Sequence, residues 1–350
     1  MRAYALKYWW EKNGGEAMVS FPLESTFKLY KFGSDLYNII QRNCPRLHIF
    51  YFLFLEVMGI HRKKNSIFGT KKWVEDIKIF NPEIVVSVHA HLNHGYYQIL
   101  KEKLNNNFNF FIYCGEMGDS WGFSRHWVNK FVDGFFGPFA ETCSAAVKRG
   151  MPAEKTFQVE PLLRPAFYKD ISAAEKKRLL SKYKINLEKP IYLLGTGANG
   201  VNRHIQILSA LENSNVDCTV VALCGKNLRI FDEILLRKDD YKHYVLPLKQ
   251  IDDNEMVFFL KVCDFFFTRP GAGSTTEAVA CGTPIIFDVS GGIMPQEKNN
   301  LNFWKNRASE TLVLKDPYKI NKLIYKPIPK VRISLDSYPR KLMSYFKLDK

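Results

Sequence analysis

The chain has 350 residues, 46% apolar and 24% charged, enough for two domains of ordinary size and too apolar for a disordered polypeptide. Fifty lysines and arginines against 35 acidic residues leave a net charge of +15, a surplus that suits anionic partners such as nucleic acid, acidic lipid headgroups or nucleotides, or else serves plain solubility. No apolar run reaches the roughly 18 residues of a membrane helix, the start lacks the pattern of a secretory signal, and the seven cysteines contain no CxxC pair, so a cytoplasmic chain with neither disulfides nor zinc is expected.

In chain order, the first 60 residues read as helical and aromatic. Within them "LHIFYFLFLEVMGI", Leu47 to Ile60, is interrupted by Glu56 and followed by His61, Arg62, Lys63 and Lys64. Apolar bulk with a basic exit suits an interfacial anchor on anionic lipid, and equally a buried core helix. Strands are expected at "PEIVVSV", "NFFIYCG", "DGFFGPF" and "KTFQVEP"; a proline-marked linker and a charged surface helix follow, which closes an N-terminal domain at residues 1–165. Over residues 166–330, apolar runs such as "PIYLLGTG", "DCTVVALCG", "KHYVLPL", "DFFFTRPG" and "TPIIFDV" alternate with helical patterns. Such alternation is the signature of an α/β domain with a parallel sheet covered on both faces. Residues 331–350 read as a basic tail with a final short helix.

Three loops could carry chemistry. "GTGANG" holds a GxGxxG at Gly195, Gly197 and Gly200, yet the next strand ends in Gly225, Lys226 and Asn227 instead of the acidic residue that holds a dinucleotide ribose. A nicotinamide cofactor is therefore not favoured, and a tight turn explains the glycines equally well. Gly225, Lys226 and Asn227 stand at the strand edge where open sheets bind ligands, and could meet a base or a phosphate or simply end the strand. In "TRPGAGSTTEA" a buried strand runs through Pro270, Gly271 and Gly273 into a helix whose first turn carries Ser274, Thr275 and Glu277. Free N–H groups at a helix start attract phosphate, glycines leave room for it, and Glu277 could accept from ribose hydroxyls. Ser274 and Glu277 also have the spacing of a capping box, which would stabilise the helix whether or not a ligand binds. Farther on, Gln296 and Glu297 precede a helix expected to start with Lys298, Asn299 and Asn300; the adjacent amide and carboxylate suit sugar hydroxyls, or simply form a solvated helix start.

Taken together, "VVALCGKN", "DFFFTRPGAGSTTEAVACGTPIIF" and "MPQEKNNLNF" resemble the monogalactosyldiacylglycerol synthase and processive diacylglycerol glucosyltransferase group, relatives of the peptidoglycan GlcNAc transferase family. The resemblance implies a GT-B fold, two Rossmann-like domains facing a cleft, and inverting transfer from a UDP-sugar with no cofactor and no obligatory metal. By it Gly197 would lie near the diphosphate, Gly225 with Asn227 near the base, Pro270 to Thr275 around the phosphates, Glu277 on the ribose and Gln296 with Glu297 on the sugar. It also implies a lipid or lipid-linked acceptor at the cytosolic membrane face and no nucleic-acid partner. Members of the family begin with a strand and a Gly-His loop, whereas this chain starts at what looks like the following helix. The N-terminal sheet is therefore expected to expose an edge. A catalytically impaired donor-binding subunit that needs a partner, and an enzyme for a soluble or polysaccharide-precursor acceptor, are the alternatives.

Inverting transfer needs a base for the acceptor hydroxyl, and histidine suits it. His89, His91 and His94 cluster after the "IVVSV" strand and His126 adjoins Trp127. His89 is the expected base, with His126 or Asp119 assisting on the acceptor side.

Overall fold

The computed structural model describes residues 1–26, 36, 40, 47–105, 107–118, 122–195, 203–214 and 216–346. Two parallel sheets organise them. The first has the order β1-β2-β3-β4, from β1 (Ile84–Ser87), β2 (Asn109–Tyr113), β3 (Gly134–Gly137) and β4 (Thr156–Gln158). The second has the order β10-β9-β8-β5-β6-β7, from β5 (Ile191–Leu194), β6 (Thr219–Gly225), β7 (Tyr244–Lys249), β8 (Phe265–Thr268), β9 (Ile285–Asp288) and β10 (Leu312–Leu314). Strands β5, β8 and β9 are buried along their whole length, which is why they read as continuous apolar runs and not as alternation. All strands of this sheet are parallel, so the ends of β5, β6, β8 and β9 open on one edge, where ligands bind in such sheets.

Helices cover both sheets. On the first, α1 (Arg2–Lys12) buries Ala5, Leu6 and Trp9, while α3 (Lys71–Phe80) buries Trp73, Val74 and Ile77 at helical spacing. Between them in sequence, α2 (His48–Met58) turns Phe50, Leu53, Phe54, Val57 and Met58 to solvent. That face excludes a fully buried helix. Among the described residues no helix is long and apolar enough to cross a membrane.

Strand β1 ends the first sheet and pairs with no strand beyond it among the described residues. The C-terminal tail is not a separate unit. Its helix, Arg340–Ser344, returns to the first sheet, where Glu160 accepts from the N–H groups of Lys341 at 2.9 Å and Leu342 at 3.2 Å, and Phe346 packs on Phe111 and Phe136. Contact between the halves is close: a Cβ added to Gly122 would lie 2.1 Å from the Pro295 carbonyl oxygen, so glycine alone lets this N-terminal segment meet the opposite helix.

Candidate active site

After β8, the turn Arg269-Pro270-Gly271 leads into a helix, Ala272–Cys281, that begins two residues before Ser274. Gly271 is its N-cap and no side chain caps it, so the capping box expected between Ser274 and Glu277 does not form. The N–H of Thr275 bonds back to the Gly271 carbonyl at 3.0 Å, while those of Ala272, Gly273 and Ser274 have no acceptor among the described residues. A Cβ at Gly271 or Gly273 would meet nothing within 4 Å. Open donors at a helix N-terminus, with open space over two glycines, are the chemistry that attracts an anion. Thr275 is fully buried, leaving Ser274 as the accessible hydroxyl of the pair.

Glu277, one turn on, faces the linker. Arg164 donates from Nη2 to its Oε1 at 3.0 Å and from Nη1 to Asp253, and stacks over Phe167. Burial pushes the Glu277 carboxyl up from its ordinary range and the Arg164 charge pulls it back. The Pro270 turn is fixed from behind, since buried Asn300 donates from Nδ2 to its carbonyl at 2.6 Å. Asn300 thus holds the loop instead of facing the cleft. Glu297 is also turned inward: Arg269 reaches it with two hydrogen bonds, 3.1 and 2.7 Å, and the Met294 N–H donates at 2.9 Å. With all of these on one carboxylate that is 2% exposed, Gln296 is the more accessible of the adjacent pair. Arg269 has no signal in the local sequence, because its partner lies 28 residues away.

At the end of β6, Gly225 has φ +56°, a left-handed conformation that glycine adopts without penalty, and Asn227 caps the next helix by accepting from the Ile230 N–H at 3.2 Å. Lys226 is exposed. Gly197 and Asp119 lie outside the described residues.

Opposite the glycine turn stands His89, just beyond β1. A cavity of about 390 Å³ joins the two, lined by His89, Tyr113, Arg164, Gly273, Thr276 and Glu277, with Arg2 at its wall. Arg2 donates to the Gly115 carbonyl at 2.9 Å, and a Cβ on Gly115 would strike its guanidinium. His89 is exposed on the cavity wall, and the protein packed around it lowers its imidazole to about 4. Its Nδ1 accepts from the His91 N–H at 3.3 Å. His126 is placed differently: it is 1% exposed, lies 4.9 Å ring to ring from His91, and meets the Leu55 carbonyl of α2 through Nε2 at 3.1 Å. His61 and His94 complete this interior cluster, lowered to about 4 and about 3 by burial and neighbouring charge. A second carboxylate, Glu56 of α2, binds Ser124 and Arg125 beside it.

No family model matches the chain. It is 22% identical over 257 residues to a processive diacylglycerol β-glucosyltransferase of Bacillus pumilus, covering 72% of this chain and 63% of that protein. It is 23% identical over 241 residues to a probable monogalactosyldiacylglycerol synthase 2, chloroplastic, of Oryza sativa subsp. indica, covering 66% of this chain and 49% of that one. Among solved structures, Arabidopsis thaliana UGT89C1 complexed with UDP-L-rhamnose superposes with a TM-score of 0.52 at 12% identity, covering 88% of this chain and 75% of that chain. Methanocaldococcus jannaschii UDP-GlcNAc 2-epimerase superposes with a TM-score of 0.50 at 12% identity, over 79% of this chain and 78% of that one. Two parallel-sheet α/β domains facing a cleft are the GT-B architecture these likenesses share.

Proposed function

We propose that this relative of the lipid glycosyltransferases is an inverting, metal-independent hexosyltransferase that moves a sugar from a UDP-sugar to a lipid or lipid-linked acceptor at the inner membrane face. The observation that carries the reading is the glycine-lined helix start at Gly271–Ser274, with its open N–H groups, facing His89 across one cavity. Diphosphate would sit on the N–H groups of Ala272, Gly273 and Ser274, with the helix dipole and the Arg164 charge beside it. Preorganised donors of this kind stabilise a leaving diphosphate as its charge develops, which supports transfer without a metal ion. Glu277 would accept from the ribose hydroxyls and Gln296 would contact the sugar.

His89 would take the proton from the acceptor hydroxyl as that oxygen attacks the anomeric carbon from the face opposite UDP, which inverts the configuration. With its imidazole lowered to about 4, it is by itself a weak base. A bound diphosphate places negative charge near the imidazole and raises that value toward neutrality, so donor binding would arm the base. The outward apolar face of α2, followed by Arg62, Lys63 and Lys64, supports a peripheral membrane site for a lipid acceptor.

Incubation of the chain with radiolabelled UDP-glucose or UDP-galactose and diacylglycerol in mixed micelles tests the reading. Label should enter the lipid phase with the parent chain and not with His89→Ala. The edge of β1, which pairs with no further strand among the described residues, favours a second reading, a donor-binding subunit that requires a partner polypeptide; UDP binding without any transfer would select it.

A further inference from the structure

Two guanidiniums line the cavity that joins His89 to the glycine turn, and they differ in what they hold. Arg164 is committed to carboxylates, donating to Glu277 and to Asp253. Arg2, in the first turn of α1, forms no ion pair among the described residues; its one hydrogen bond there runs from Nη2 to the Gly115 carbonyl at 2.9 Å. A guanidinium offers five N–H groups in a planar fork, so most of this fork remains for a ligand.

The fork is also held in place. Arg2 is half-buried, and a Cβ on Gly115 would stand 2.0 Å from its Cζ and 2.2 Å from its Nε, so the group lies directly on the bare Cα of a residue just past the end of β2. Gly115 and Tyr113 of this strand end line the same cavity as Gly273 and Glu277, and the Arg2 charge carries across it. Burial raises the Glu277 carboxyl; Arg164 opposes the rise, and so, from the side of the first sheet, does Arg2. An ordered cation with no carboxylate of its own, opposite open N–H groups, is matched to an anion that meets both.

We propose that Arg2 binds the sugar-bearing phosphate of a nucleoside diphosphate sugar and stabilises that phosphate as it leaves. The proposal rests on the reading of the cleft as a UDP-sugar site, and names the group that meets the diphosphate from the side of the first sheet. Which phosphate it meets follows from the neighbours. His89 must reach an acceptor hydroxyl in line with the anomeric carbon, and Arg2 shares the cavity wall with His89, whereas the nucleoside end would lie toward Gly225 and Asn227 at the end of β6. In the transfer step the acceptor oxygen bonds to the anomeric carbon as the bond from that carbon to the phosphate oxygen breaks. The bonding pair leaves with the UDP oxygen, and the hydroxyl proton passes to His89. Negative charge therefore grows on the phosphate that Arg2 holds, where a fixed N–H fork binds more strongly as the bond lengthens.

Calorimetric titration of the full chain with UDP and with UMP, which lacks the sugar-bearing phosphate, tests this. Arg2→Gln should weaken UDP at least about tenfold and UMP by less than about threefold. Gly115→Ala should act in the same way without removing the charge, because its methyl group displaces the guanidinium, and it decides the matter if Arg2→Gln does not fold. A loss by the same factor for UDP and UMP would mean that Arg2 only braces the Gly115 loop, and UDP binding equal to the parent's in both variants would mean that it touches no donor phosphate. Either result overturns the proposal and leaves the donor site standing. A parent chain that binds no UDP removes both.

Discussion

Arg164, in the segment that joins the two sheets, donates to Glu277 at 3.0 Å across the base of the cleft, and to Asp253 with its other terminal nitrogen. One guanidinium therefore offsets part of the burial that raises the Glu277 carboxyl, at the point where a ribose would need an acceptor. Its Nε has no partner among the described residues. Replacing Arg164 by Ala should weaken UDP binding by at least about tenfold, and Lys should restore only part of it, because an ammonium cannot hold both carboxylates in a planar fork. Calorimetric titration measures both.

Gly273 separates ligand space from fold. It sits inside a helix at an ordinary φ with nothing within 4 Å of its missing Cβ, so Gly273→Ala should stabilise the folded chain by about 1 kcal/mol through helix propensity. The same methyl group intrudes on the anion site. Higher stability in urea together with weaker UDP binding is the expected pair of results. Gly225, at φ +56°, should behave oppositely, losing about 1 kcal/mol on replacement by Ala.

Arg269 and Glu297 are 4% and 2% exposed and 2.7 Å apart. Removing Glu297 alone strands a buried guanidinium and should cost about 3–5 kcal/mol, while replacing both residues by methionine should cost far less. Urea unfolding of the two single variants and the double variant gives the comparison.

The histidine cluster makes stability depend on pH in a defined direction. His89 and His61 are lowered to about 4 and His94 to about 3, so the folded chain holds them neutral while the unfolded chain protonates them near its ordinary value of about 6.5. Their contribution is fully present above pH 6.5 or so and is lost as pH falls from there toward the folded values. Thermal midpoints should be flat above neutrality and decline from about pH 6.5 to 5, before most carboxylates titrate. In His94→Gln, which removes a buried member of the cluster, that decline should be shallower.

On α2, Phe50 and Phe54 are 68% and 51% exposed. Exchanging both for Asp should release the chain from phosphatidylglycerol vesicles without altering UDP affinity. Raised salt should weaken the parent's attachment, since the basic stretch Arg62–Lys64 supplies part of it.

Much of this architecture was legible in the residues. Buried parallel strands such as "IYLL" and "FFFT" announce themselves as unbroken apolar runs, and the two-domain α/β reading follows from their alternation with helices. The three residues of β10 are too few for a periodic signal. At the site, local motifs were readable and long-range partners were not. Ser274 and Glu277 have capping-box spacing, but the helix starts earlier, at the Gly271 cap, so Glu277 falls in the second turn and meets Arg164, 113 residues away. Glu297 and Asn300 look like sugar contacts until Arg269 and the Pro270 carbonyl are brought to them by the fold. His126 reads as an acceptor-side helper to His89, and only the fold shows α2 closing over it.

Titration of the full chain with UDP, comparing the parent with Gly273→Leu, tests the central claim most directly. The account predicts saturable binding by the parent without added divalent cation, and its loss in a Gly273→Leu chain that remains folded. Absence of binding by the parent, or equal binding by both, would contradict it.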